Sequence, residues 1–285
     1  MDTLPEVVQY WNSRAGIGEM AGTRDLIAKQ LEMKTLAGCF PIDSTESVID
    51  MGCGNGMTSL YLKTIRPGLR ILGVDNADGM IAHAIGRMNM ERDRIIRGNP
   101  LLRDEPCVYT ERTLENPACG DVSYEIGSVM DYRPKELVDC AYTERTLVNL
   151  PDWEAQRNAI MNILQMLRPG GTYLMMENSR DGVEELNTIR AMVGLSPIVP
   201  PWHNRYLQDA EIDSISVNEF GKLVQIINYS GAYYFLSRVV NAWLAKAAGT
   251  EPVYDAPCNK LALELPQIPG GLRGQGVLWV WRRSA

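Results

Sequence analysis

Three groups of residues in this chain have the types and spacing to do chemistry. The first is Asp50-x-Gly52-x-Gly54-x-Gly56, preceded by the apolar run Val48-Ile49-Asp50-Met51 and followed by Met57–Lys63, which reads as a helix opening. Strand, glycine turn and helix together aim backbone N–H groups at a bound ligand. Glycine lacks Cβ, so the turn can be tight and a ligand can come close. Taken alone, such a turn also serves as an ordinary strand–helix connection. A second short apolar run, Ile71-Leu72-Gly73-Val74, ends on Asp75. A carboxylate about 20 residues beyond such glycines is where nucleotide-binding α/β folds hold ribose hydroxyls. The glycine pattern differs from the dinucleotide one: counted from Gly52, G-x-G-x-x-G needs glycine where Met57 stands.

The second group is Thr143-Glu144-Arg145, at the end of the predicted strand Leu137–Tyr142. Ligands of open α/β sheets bind at the carboxyl ends of strands, which puts these residues beside any bound ligand. Glu144 and Arg145 either pair with each other, contributing about 0–1 kcal/mol if exposed, or one of them faces substrate. The third group is Pro200-Pro201-Trp202-His203-Asn204. Prolines fix the backbone, and histidine is the natural proton acceptor near neutral pH. Trp202 and His203 could equally plug this segment against the core. His83, the other histidine, lies in a predicted helix at Met80–Met90 and reads as a surface or packing residue.

Four segments in order resemble the class I S-adenosylmethionine-dependent methyltransferases. They are the glycine motif from Asp50, the acidic GVDNADGMIAHA (Gly73–Ala84), DCAYTERTLVNLPD (Asp139–Asp152) and ILQMLRPGGTYLMMENS (Ile163–Ser179). The resemblance implies a doubly wound, mostly parallel seven-stranded α/β sheet of the Rossmann-like methyltransferase type, ending in an antiparallel hairpin. It implies S-adenosylmethionine as cofactor and S-adenosylhomocysteine as product. Asp50 would orient the turn, Gly52, Cys53 and Gly54 would admit the cofactor, and Asp75 with Asn76 would hold the ribose. Thr143 would sit beside the methyl-bearing end. Ser128, Val129 and Asp131 occupy the adenine-reading turn. Ser128 stands where the family often has an acid, so either its hydroxyl or Asp131 takes that contact.

The reaction so implied is methyl transfer to an oxygen or nitrogen of a small molecule, such as a metabolite, natural product or sugar. Its catalytic candidates are His203 as base, Glu144 and Arg145. No Asn-Pro-Pro-Tyr-like tetrad follows the fourth strand, which argues against a nucleic-acid base as acceptor. Two other classes compete. A non-catalytic or non-methylating S-adenosylmethionine-binding protein would keep the same glycines and acid. A nicotinamide-dependent oxidoreductase would need G-x-G-x-x-G and a tyrosine–lysine or cysteine constellation, which the chain lacks.

Composition narrows the partners. The 285 residues carry a net charge of -7, with 45% hydrophobic and 22% charged residues, the balance of a globular protein. That charge supplies no basic footprint for nucleic acid. The segment MDTLPEVVQYW lacks the pattern of a secretory signal, and no apolar run reaches the roughly 20 residues that span a bilayer. Six scattered cysteines form no Cys-x-x-Cys pair, so a disulfide framework or zinc site is not expected, and a cytoplasmic location is the default. Association into a homo-oligomer is compatible with all of this.

The expected organisation is a helical segment, residues 1–45, covering the cofactor, then a methyltransferase domain, 46–285, with insertions at about 98–121 and 177–217. Thr23 reads as the N-cap of a helix that Gly38 stops. Tyr10, Trp11 and Arg14 lie upstream of it. Asp152–Leu167 reads as an amphipathic helix closed by Pro169-Gly170-Gly171, and Tyr173–Met176 as the next strand. A helix near Val183–Met192, strand segments at Asn218–Val224 and Gln225–Tyr229, an aromatic helix at Gly231–Ala247 and a final strand at Gly276–Trp281 complete the reading. The hexamer YTERTL occurs at Tyr109–Leu114 and again at Tyr142–Leu147. Two copies do not make a repeat architecture.

Overall fold

The computed structural model describes residues 5–41, 45–96, 122–265 and 271–285. Its strands are β1 (Ser47–Met51), β2 (Arg70–Asp75), β3 (Val122–Ile126), β4 (Val138–Glu144), β5 (Leu167–Asn178), β6 (Gly221–Ile227) and β7 (Gly276–Arg283). They form one sheet in the order β3-β2-β1-β4-β5-β7-β6. The first five run parallel, and β7 is antiparallel to both of its neighbours. The chain leaves β1 toward β2 and β3 on one side, and returns to the other side for β4. That reversal opens a crevice at the carboxyl ends of β1 and β4, where open α/β sheets bind ligands.

Every residue of β1 is buried, as expected of a parallel strand covered on both faces. Val48 packs with residues of α2 (Leu26–Cys39), α3 (Met57–Ile65) and α4 (Asp78–Ile96), namely Leu36, Leu60 and Met88. Ile49 and Met51 face α5 (Trp153–Met166), where Ile160, Ile163 and Leu164 complete the second layer. The paired glycine turn and acid thus sit at the edge of a fully packed two-sided core.

Several elements end where side chains, not periodicity, satisfy their backbone. Asp25 caps α2 by accepting the Ala28 N–H at 3.0 Å. Thr23, the expected cap, instead accepts the N–H of Asp25 at 3.0 Å, and Gly38 lies inside the helix. Asp152 caps α5 through the Ala155 N–H at 2.8 Å. Pro169, Gly170 and Gly171 belong to β5, with Gly170 at φ 76°. The two strand segments expected at 218–229 are one strand, β6, with a shifted register between Leu223 and Gln225. The aromatic helix consists of α-helical turns at Gly231–Tyr234 and Asn241–Ala247 joined by a π turn, Phe235–Val240.

The predicted insertion at 98–121 lies outside the described residues. The stretch 177–217 contains α6 (Arg180–Met192) and α7 (Asp209–Ser214). No helix among the described residues is long and apolar enough to cross a membrane, and no cluster of His, Cys, Asp or Glu among them could hold a metal ion.

Candidate active site

The glycine turn after β1 is held open by its neighbours. The N–H groups of Gly52 and Cys53 both donate to the carbonyl of Val74, at 2.7 and 3.0 Å. The Gly54 N–H donates to Asp75 Oδ2 at 2.9 Å, and Asp75 Oδ1 accepts the Ala77 N–H at 2.9 Å. Gly52, Gly54 and Gly56 all have positive φ, 79°, 53° and 75°, a region that glycine enters without steric cost. A Cβ at Gly52 would lie 2.2 Å from Thr146 Oγ1, whereas one at Gly54 would meet nothing within 4 Å. Asp50 sits beneath the turn, accepting from Ser59 Oγ at 2.5 Å and from the Tyr142 hydroxyl at 2.6 Å. It therefore ties β1 to α3 and β4. Burial raises Asp50 to about 7, although the bonds from Ser59 and Tyr142 favour its ionised form.

Above the turn lies a cavity of about 560 Å³, within the range of small-molecule sites. Asp50, Gly52, Cys53, Gly54, Asp75, Asn76 and Val129 line it on the sheet side, with Glu144 and Arg145. Burial raises Asp75, against the N–H groups of Ala77, Gly54 and Asn76. A carboxylate has about four acceptor positions, so these N–H groups do not use them all. Burial likewise holds the Cys53 thiol well above its ordinary range. The open space at Gly54 and the partly used Asp75 carboxylate fit an adenosyl cofactor whose ribose lies over the turn.

Three of the predicted cofactor residues, Thr143, Ser128 and Asp131, are not among the residues that line the cavity. Thr143 points to the opposite side of β4, fully buried, with Oγ1 2.9 Å from the Tyr173 hydroxyl. Side chains alternate along a strand, so the residue between Tyr142 and Glu144 faces away from the cavity. The Ser128 hydroxyl accepts the Met130 N–H at 3.2 Å, closing its own turn. Asp131 is exposed and lies outside the cavity lining, which here comes from Gly127 and Val129.

Glu144 and Arg145 do not pair with each other. Glu144 is bound by Lys29 Nζ and by Thr58 Oγ1, each at 2.5 Å. Arg145 Nε lies 3.3 Å from Glu32 Oε1. Lys29 and Glu32 are three residues apart on α2, so one helix face delivers both. Burial raises Glu32 to about 8, with Arg145 opposing and Glu144 reinforcing the shift. Burial acts the same way on Glu144, but Lys29 and Arg145 outweigh it and lower that carboxyl. Of the two carboxyls Glu32 is the one pushed up, because Glu144 already has a cation and a hydroxyl.

His203 lines the cavity from a turn inside an aromatic cluster. Its ring centroid is 4.3 Å from that of Tyr10, 5.5 Å from Trp11 and 5.3 Å from Trp202. Tyr10 and Trp11 belong to α1 (Pro5–Ala15), and Trp11 Nε1 donates to Asn149 Oδ1 at 3.2 Å. The two readings of this histidine thus coincide in space: it packs against α1 and also faces the cavity. Its Nδ1 is buried without a hydrogen-bond partner. Burial, assisted by Arg14, lowers its pKa, so the ring is neutral at pH 7. His83 is exposed on α4.

Sequence reasoning missed Lys29, Glu32, Thr58, Arg238 and Tyr206, all of which line the cavity. Thr58 lies in the helix that follows the glycine turn, and the others belong to no motif. The only advance signal was the aromatic helix, whose Tyr234 lines the cavity.

The family model described as "Methyltransferase domain" matches residues 49–175. No curated protein sequence matches the chain. Among solved structures, a complex between the Haloferax volcanii Trm112 methyltransferase activator and a methyltransferase is 14% identical, covering 96% of this chain and 98% of that one, with a TM-score of 0.56. The [4+2]-cyclase SpnF is 16% identical over 89% of this chain and 81% of its own, with a TM-score of 0.52. A geranyl diphosphate methyltransferase solved with GPP and sinefungin is 13% identical over 89% and 77%, with a TM-score of 0.50. At such identities the likeness is one of fold. The domain match over residues 49–175, the seven-stranded sheet and the turn–acid pair together give this chain the fold of the class I S-adenosylmethionine-dependent methyltransferases.

Proposed function

We propose that this chain is an S-adenosylmethionine-dependent methyltransferase that modifies an oxygen or nitrogen of a small organic molecule. The observation that carries the reading is the form of the cavity. It is bounded by α1, α2, the 201–204 turn and Tyr234 and Arg238, and is lined by paired charges and tyrosines. A net charge of -7 adds no basic track for nucleic acid. In this reading residues 1–45 and the stretch 177–217 act as the cover over cofactor and acceptor.

S-adenosylmethionine, when bound, supplies a methyl already activated by its sulfonium. The work left to the chain is positioning and exclusion of water. Asp75 and Asn76 would hold the ribose, Gly52 and Gly54 would admit the cofactor to the turn, and Val129 would pack against the adenine. A hydroxyl acceptor must lose its proton, which asks for a base of suitable pKa. His203, neutral and with Nδ1 unpartnered, is proposed as that base. Glu144, held ionised by Lys29, and Arg145 are proposed to face the acceptor.

The fold alone does not fix the reaction, since one structure of similar fold is a cyclase. The deciding experiment incubates the protein with isotopically methyl-labelled S-adenosylmethionine and a panel of small hydroxyl, amine and carboxyl compounds. Label appearing in a small product supports the proposal. Tight S-adenosylhomocysteine binding with transfer only to a protein or nucleic-acid acceptor would overturn the small-molecule reading.

A further inference from the structure

Among the described residues Arg145 is the only non-glycine with positive φ, at 56°. Bulky L-residues avoid this region, and they persist in it where the surrounding structure imposes it. Here it is imposed from both sides. The Arg145 N–H donates to the Met176 carbonyl at 2.8 Å, and Asn149 Nδ2 donates to the Arg145 carbonyl at 2.9 Å. The following residues, Thr146 and Leu147, donate their N–H groups to the buried carboxylate of Glu177 at 3.1 and 3.0 Å. The loop is built to present one side chain to the cavity.

That side chain is incompletely used. The other half-buried cations of the cavity wall, Lys29 and Arg238, have hydrogen-bonded carboxylates, Glu144 at 2.5 Å and Asp25 at 2.6 Å. Arg14 is occupied by the carbonyls of Ala21 and Met20. Arg145 instead approaches Glu32 at 3.3 Å out of hydrogen-bond alignment, and its Nε is buried without a partner. Glu32 is 3% exposed and its Oε2 has no hydrogen-bond donor either. The Arg145 charge is felt at the hydroxyls of both Tyr206 and Tyr234, which line the cavity beside it.

We propose that Arg145 anchors a carboxylate carried by the methyl acceptor, a small acid whose flat or apolar body rests on Tyr206 and Tyr234. This rests on the methyltransferase reading above. A single guanidinium lacking a bonded counterion matches a single negative charge, and its planar fork suits a carboxylate. A tyrosine ring offers apolar surface with a polar tip, as an aromatic or alkyl acid requires.

The test is calorimetric titration of the S-adenosylhomocysteine complex with benzoate, phenylacetate and 3-phenylpropionate, each paired with its neutral amide. At least one acid should bind about tenfold or more tightly than its amide, a difference of about 1.4 kcal/mol. Arg145→Gln should abolish that preference while S-adenosylhomocysteine still binds as in the wild type, which also verifies folding. Arg145→Lys should keep part of the preference, as a point charge. Equal binding of acids and amides overturns the proposal. So does a parallel loss of S-adenosylhomocysteine affinity in Arg145→Gln, which would assign the guanidinium to the cofactor's own carboxylate. A wild-type protein that prefers acids yet binds no S-adenosylhomocysteine would keep the acid site and sink the methyltransferase reading instead.

Discussion

The carboxylate of Asp75 holds the turn it faces: its Oδ2 accepts the N–H of Gly54, 21 residues earlier, at 2.9 Å. One side chain therefore shapes the glycine turn and offers its remaining lone pairs to the cavity. Asp75→Ala removes both. A hydrogen bond to a charged group contributes about 1.5–3 kcal/mol, so S-adenosylhomocysteine affinity should fall about 10- to 100-fold. Titration calorimetry reads this directly, and an unchanged affinity would move the ribose contact elsewhere.

The two glycines of the turn should respond differently to alanine. At Gly52 the new methyl collides with Thr146 Oγ1 and the backbone has φ 79°, so Gly52→Ala should destabilise by about 1–3 kcal/mol or more. At Gly54 the methyl enters open space, and the main stability cost is the left-handed backbone, about 1–2 kcal/mol. Urea unfolding should rank Gly52→Ala as the less stable variant. Gly54→Ala should show the larger loss of S-adenosylhomocysteine affinity for its loss of stability. The reverse ranking would mean that the cofactor does not pass over Gly54.

His203→Ala separates its two roles. As a general base it contributes about 10²- to 10⁴-fold to turnover, with cofactor affinity near that of the wild type. Because burial and Arg14 lower its pKa, the acid limb of turnover should fall below pH 6.5, the ordinary histidine value. Turnover that survives the substitution, with a lowered melting temperature, would mark His203 as a packing residue of the Tyr10–Trp11–Trp202 cluster.

Glu32 should leave a signature in stability against pH. Its carboxyl faces Arg145 and Glu144 of the β4 end, Lys29 of its own helix, and Tyr229 and Tyr234. The folded state raises it to about 8 from 4.5, chiefly by burial. Between those values the folded protein binds more protons than the unfolded chain, so this group's contribution to stability falls as pH rises. The contribution is full below about pH 4.5 and lost through about pH 8. Glu32→Gln, neutral at every pH, should flatten that decline and be more stable than the wild type at pH 8.5. Denaturant midpoints at pH 5, 7 and 8.5 test it; parallel profiles for the two proteins would show that the proton is not held on Glu32.

Residues 46–75 carry their own instructions. An apolar run, three glycines that can take positive φ, a helix start and an acid after the next run are local features, and each acts within a few residues of itself. Strands β1 and β2, the turn, Asp50 and Asp75 could be read from them because strands inside a parallel sheet are apolar. Where contacts are long-range, that reading stops. Lys29 and Glu32 look like any surface pair of a helix, yet they meet Glu144 and Arg145 from more than a hundred residues away. Thr143 and Glu144 are adjacent, and only the strand's facing decides that one is buried against Tyr173 and the other enters the cavity. Ser128 and Asp131 were placed by analogy with an adenine contact, whereas the cavity lining on that side comes from Gly127 and Val129. The left-handed backbone of Arg145 has no mark in the letters around it. It arises from Met176 and Glu177, whose hydrogen bonds exist only once β4 and β5 lie side by side, with Asn149 closing the turn locally.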